Sequence, residues 1–272
     1  MQRSINHTPN TDGLDFVNKL SVDVLPLHFK DNLDESIKSI RNEYENIKND
    51  CFIGAIGRIE QCLFRLYEAK YMVLPKIKDI DLCGYAFDDD YHASVNAELE
   101  KCFDKDYAKS EYDKAIGLVR QKDYQTAGIH FLNAAINGNA PSQYNYGVSV
   151  ANGEVGERDT TEAAVWYFMA AKNGYEKAMV NLAIAYRNGT GVYPDGYMMT
   201  YWYAKASTIP FPYAVYNLGL SIVNEEVLPG NPLIGRQLKL FSEQLYDDVA
   251  REYVTDVARK VIDAIKERTF NV

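Results

Sequence analysis

Histidine and cysteine are scarce in this chain, four of each in 272 residues, and that scarcity removes several chemistries at once. Cys51, Cys62, Cys83 and Cys102 form no C-x-x-C pair and have no histidine at zinc-ligand spacing, so they read as reduced thiols. His7, His28, His92 and His130 are dispersed, whereas a zinc hydrolase needs two histidines one helical turn apart. Glycine-rich phosphate cradles are missing as well: no G-x-x-x-x-G-K-S/T or G-x-G-x-x-G occurs, nor a nucleophile elbow. The expectation is a chain without cofactor, metal or catalytic residue, and so not an enzyme. Long apolar runs are absent too. None approaches the roughly 18 residues of a membrane span, and the opening "MQRSINHTPNTDGLDF" lacks the apolar core of a signal peptide. With reduced thiols, that predicts a soluble, cytoplasmic protein with no membrane partner.

Basic charge is in deficit: 29 Lys and Arg stand against 38 Asp and Glu, a net charge of −9. Nonspecific nucleic-acid binding draws its free energy from cations displacing counterions, so nucleic acid is not expected as a partner. The excess is concentrated. Between Asp79 and Asp113, eleven acids face three lysines, a local balance of −8. A charge run of this kind is ordinarily a solvated face, here with a loop at "FDDDYH". The functional alternative makes Asp88, Asp89 and Asp90 contacts that steer a basic partner protein. Their carboxylates have no evident apolar neighbourhood to raise a pKa, so they are not expected to act as general acids.

What the chain does have is a sentence written twice. "AVWYFMAAKNGYEKAMVNLAIAYRNGTGV" begins at Ala164 and "TYWYAKASTIPFPYAVYNLGLSIVNEE" at Thr200, with Trp166-Tyr167 and Trp202-Tyr203 set 36 residues apart. At that offset Asn145, Asn181 and Asn217 share a column, as do Gly147, Ala183 and Gly219, and Ala134, Ala170 and Ala206. Asp159, Asp195 and Asn231 form another, and a degenerate earlier unit begins near Tyr107 with His130-Phe131 in the Trp-Tyr position. Such a period marks an array whose units are too small to bury their own apolar faces alone. Each unit reads as two helices. Ala178, Leu182, Ala183 and Tyr186 recur at three- and four-residue spacings; "NGTGVYPD" breaks the run; Asp195 is placed to cap a helix carrying Met199, Trp202, Tyr203 and Ala206. Trp166 and Trp202 are therefore expected in the core, and His130 as a packed or partly exposed histidine rather than a catalytic one.

These residues resemble the Sel-like repeat (SLR) family, a branch of the tetratricopeptide-type helical repeats with a glycine-containing inner loop. The resemblance is carried by Ala178, Leu182, Tyr186, Gly189, Gly191, Val192, Asp195, Trp202, Tyr203 and Ala206; Ala183 and Met199 depart from the pattern, and the third copy loses its loop glycines to "NEEVLPGNP". It implies an all-α fold, an α/α solenoid of TPR-like helix pairs, whose curved surface holds another protein. Cysteine-rich relatives in this family are linked to hydrolysis through cysteines inside the repeats. All four cysteines here precede the repeats, so that activity does not carry over.

The flanks are helical without the period. Leu33, Ile37, Ile40, Tyr44 and Ile47 mark one amphipathic helix, with Asn32 and Glu35 as a capping pair; Phe52, Ile56, Ile59, Leu63 and Leu66 mark a second, ending before Pro75. Tyr246, Ala250, Tyr253, Val257, Val261 and Ala264 mark a last helix expected to cap the array. The chain thus divides into a helical extension over residues 1–104, a solenoid over 105–245 and a capping helix over 246–272. Candidate partner contacts are the column Tyr144, Val180 and Tyr216, with Tyr193 and Tyr197 near the loop. A second column, Val148, Ile184 and Leu220, is aliphatic throughout and reads first as core. For function, a partner-binding module is expected. The combination of repeats and acidity resembles the immunity proteins that neutralise bacterial toxins; an adaptor or regulator in signalling or secretion is the alternative.

Overall fold

Twelve α-helices and no strand are seen among the residues that the computed structural model describes, which are 33–47, 53–77, 80–81, 85, 88–224 and 232–270. They divide into two compact units, Met1–Phe103 and Asp104–Val272.

In the first unit, α1 (Leu33–Ile47) packs against α2 (Ile53–Glu68) as the two apolar stripes predict. Ile37 and Ile40 are buried on α1, and Ile59, Leu63 and Leu66 on α2. Asn32 and Phe52 lie outside the described residues. The second helix continues past Leu66 into a π-helical turn, Ala69–Val73, that closes before Pro75. The helix α3 (Asp89–Lys101) was not anticipated. Asp88 caps it, its Oδ1 accepting from the Tyr91 amide at 2.9 Å, and Asp89 and Asp90 occupy the first turn, where carboxylates favour the helix dipole. The acidic run Asp88 to Asp90 is therefore a helix start rather than a loop, Phe87 lying outside the described residues.

The second unit is the helical array. Its first helices are α4 (Lys105–Arg120), α6 (Ala140–Asn152), α8 (Glu176–Asn188) and α10 (Pro212–Val223). Their partners are α5 (Tyr124–Ala135), α7 (Thr160–Lys172), α9 (Gly196–Ser207) and α11 (Pro232–Phe241). Each helix packs on the next in the chain, within a pair and between pairs. The aspartates of the repeat cap the second helices: Asp159 accepts from the Glu162 amide, and Asp195 from the Tyr197 and Met198 amides at 2.7 and 3.0 Å. Gly153 and Gly189 end α6 and α8 in left-handed conformations, φ 73° and 68°, which L side chains resist. Trp166 is fully buried and Trp202 is 5% exposed, so the repeat's tryptophans are core residues. Tyr146 meets Trp166 edge-on at 5.0 Å.

The helix α11 forms despite the lost loop glycines, and it lies very close to α10. A Cβ added to Gly219 would stand 2.7 Å from the Gly235 carbonyl oxygen, and one on Gly235 would stand 2.6 Å from that of Gly219. The last helix, α12 (Asp248–Phe270), buries Ala250, Val254, Val257, Ala258, Val261, Ile262 and Ile265. Tyr246, expected on its inner stripe, lies before the helix and is fully exposed. The covering role of α12 falls chiefly on α9; it meets α11 where Tyr253 touches Phe241 and Gln237.

Candidate functional site

Three side chains on successive first helices of the array set the candidate surface: Val148, Ile184 and Leu220 are all half-buried. Tyr112, one further period back on α4, is half-buried too. Core residues of the same helices, such as Leu182 and Leu218, are fully buried, so this column is partly open apolar surface rather than the core it was read as. Four helices thereby contribute one aromatic and three aliphatic side chains to a single row.

The column beside it is mixed. Val180 is only 6% exposed, and its side chain serves the core; as a contact residue it is corrected by its burial. Tyr216 is 42% exposed, with the Lys239 ammonium 5.1 Å from its ring centre, so one ring face already has a cation. Tyr144 is half-buried in a cluster that sequence reasoning missed. Its ring lies 5.9 Å from Tyr167 and 5.2 Å from Tyr175, and Asn181 opposes the upward pull of burial on both the Tyr144 and the Tyr167 phenol. Burial pushes the Tyr167 and Tyr175 phenols up to about 12, the Tyr144 and Glu176 neighbourhoods adding to it. The signal for Tyr167 was present in the repeated Trp-Tyr pair, but Tyr203, its counterpart, is buried, and the sequence treats the two alike. Tyr193 is half-buried near the loop, and Tyr197 is 37% exposed at the start of α9.

The asparagine column is used internally. Asn145 and Asn217 donate to the carbonyls of Pro141 and Tyr213, four residues back, each at 2.8 Å. These bonds orient the first-helix surface without spending any charge on it.

Two clusters bring titratable groups together. At the first pair of the array, Glu111 is 3% exposed and takes Lys114 at 2.6 Å, His130 Nδ1 at 2.8 Å and Asn133 at 2.9 Å. The Lys114 hydrogen bond, helped by Asn133 and His130 and opposed by burial, holds the Glu111 carboxyl down at about 2. His130 thus stands as expected, packed on one side and partly exposed on the other. In the first unit, His92 Nε2 lies 3.1 Å from Glu68, Tyr85 donates to Asn96 at 2.9 Å, and the Tyr85 ring sits 4.6 Å from that of His92. Burial pushes the Tyr85 phenol far up. Of the acidic trio in the same unit, all exposed, Asp88 caps α3 and Asp89 pairs with Arg65. A polar groove between the end of α9 and α12 is lined by Thr208, Arg251, Thr255 and Arg259 with acidic neighbours, and Arg251 pairs there with Asp248. Among the described residues no group of three or more His, Cys, Asp and Glu could hold a metal ion, and no helix is long and apolar enough to cross a membrane.

The 36-residue pitch, the aspartate caps, the left-handed glycines and the buried tryptophans are now on one scaffold. Together they make an all-α array of repeated helix pairs. Two solved structures are similar to the chain. One is a Sel1 repeat protein from Oxalobacter formigenes, 24% identical over 57% of this chain and 61% of that one, with a TM-score of 0.43. The other is a protective antigen of uropathogenic Escherichia coli strains that displays an SLR fold, 18% identical over 97% of this chain and 48% of that one, with a TM-score of 0.38. This chain therefore spans less than two thirds of the length of either. No family model and no curated protein sequence matches it.

Proposed function

We propose that this Sel-like array is a protein-binding module whose partner lies across the first-helix face. One observation carries the reading: Tyr112, Val148, Ile184 and Leu220 form a half-open apolar row across four successive first helices. Partly buried apolar side chains held on rigid helices can gain from further burial at little entropic cost, which is how interface centres are built. Tyr144 and Tyr216 flank the row with the amphipathic aromatics that serve as anchors.

The finer reading, an immunity-type inhibitor of a basic toxin, is supported by the net charge of −9 and by the exposed Asp88, Asp89 and Asp90. Capping and pairing occupy two of those three, which favours the apolar row as the main contact and leaves charge to steer the encounter. The alternative is an adaptor or regulator with several partners.

Affinity capture from lysate at low and high salt tests the module. Ile184→Asp is expected to remove the bound partner, since it sets a carboxylate in the centre of the row. Asp88→Asn with Asp90→Asn should slow association and reduce its salt dependence. Capture unchanged by Ile184→Asp and by Tyr144→Ala would place the binding surface elsewhere.

A further inference from the structure

In the array, the second helix of a pair normally has its outer positions closed. Thr200 and Ala204 of α9 are 1% and 0% exposed, Ala164 of α7 is 1% exposed, and Phe168 of α7 packs edge-on against Trp202 of α9 at 6.0 Å. One or two periods later, the same columns reach Arg236 and Leu240 of α11, and there they surface: Leu240 is 67% exposed and Arg236 is exposed. Leu233, two turns before Leu240 on the same stripe, is 61% exposed. At the adjoining corner Tyr246 and Val249 are 101% and 74% exposed, while α12 covers α9 instead.

We propose that this face is a self-association surface, with α11 of one chain lying antiparallel on α11 of a second copy. The stripe Leu233, Arg236, Gln237, Leu240 reads the same in both directions by residue class. Turned about its midpoint, Leu233 meets Leu240 of the second copy, twice over, and Arg236 meets Gln237 rather than itself. That is the self-complementarity a two-fold interface requires. Gln237 Oε1 accepts from the Tyr253 hydroxyl at 2.6 Å and has a second lone pair for the incoming guanidinium. A parallel arrangement would instead set Arg236 on Arg236. Tyr246 alone offers roughly 150–250 Å², and with the partly exposed Leu233, Leu240 and Val249 the face stays below the roughly 800 Å² per partner of a standard interface. The dimer is accordingly one that dissociates on dilution.

Sedimentation of the full chain between about 1 and 300 µM, the range in which an interface of this size dissociates, should show the mass rising from 30.9 kDa towards twice that value. Leu233→Lys and Leu240→Glu should each be monomeric throughout, because each homodimer would bury two unpaired charges against leucine. Mixed in equal amounts, the two variants should associate again, the introduced ammonium meeting the introduced carboxylate while the other leucine pair is kept. Gln237→Arg sets guanidinium against guanidinium and should weaken association about tenfold or more. Leu233 and Leu240 are exposed, so the unfolding midpoints of those two variants should match the parent, whereas Gln237→Arg also gives up the Tyr253 hydrogen bond and is compared at its own midpoint. A parent that stays monomeric over the whole range, a dimer that survives Leu240→Glu, or a mixture that stays monomeric would each overturn the proposal.

Discussion

Removing the charge of Glu111 should destabilise the array in a way that depends on pH with a definite sign. The group is 3% exposed, and its carboxyl is held at about 2, against an ordinary value of 4.5, by the Lys114 hydrogen bond with support from Asn133 and His130. A difference of about 2.5 units corresponds to about 3 kcal/mol as an upper bound; Lys114 is more than half exposed, so solvent screening reduces this to about 1–2 kcal/mol. Because the folded value is depressed, the stabilisation is complete above pH 4.5 and is lost as the pH falls through about 2. Glu111→Gln keeps the shape and discards that term. Its unfolding midpoint in urea should fall at pH 7 with an unchanged slope, and by pH 3 more than half of the gap to the parent should have closed. Both tryptophans of the chain, Trp166 and Trp202, are buried in the second unit, so their fluorescence follows that unit alone. A gap that stays constant from pH 7 to pH 3, or widens towards acid, would refute the assignment of the effect to an ionised Glu111.

Other perturbations separate packing from capping. Gly219→Ala or Gly235→Ala forces a methyl to within 2.7 Å of the facing carbonyl oxygen, so each should cost about 1–3 kcal/mol in tryptophan-monitored unfolding. The same change at Gly117 of the second unit, where nothing lies within 4 Å, should not destabilise by overpacking. Asp195→Ala leaves the Tyr197 and Met198 amides without their acceptor and should cost about 1 kcal/mol, restored by Asn far better than by Leu. In alkaline titration followed by absorbance, Tyr146, Tyr167 and Tyr175 should ionise near 12, late among the tyrosines. Their folded values lie above the ordinary 10, so the stability they contribute is present below pH 10 and is lost as the pH rises towards 12.

Periodicity was legible in the sequence because it is a property of one strand of text. The offset of 36 residues located the helix pairs, the aspartate caps and the buried tryptophans, since each depends on neighbours a few residues away or on a repeated column. The start of α3 was equally local, an aspartate followed by two acids in the first turn, yet a run of three like charges was read as solvated loop. Exposure within a column was not legible. Tyr144, Val180 and Tyr216 occupy equivalent positions but are half-buried, buried and exposed, because burial is decided by which helices arrive from elsewhere.

By itself the sequence determined an all-α repeat array, its pitch, most of its helix ends and the placing of Trp166 and Trp202 in the core. Amphipathic spacing and capping chemistry act over one or two turns and need no tertiary information. Only the tertiary structure decided that the Val148, Ile184 and Leu220 row lies half open, that Glu111 gathers His130, Asn133 and Lys114, and that α12 settles on α9. Those outcomes turn on contacts between residues far apart in the chain, where an identical local pattern can be covered in one repeat and left open in the next.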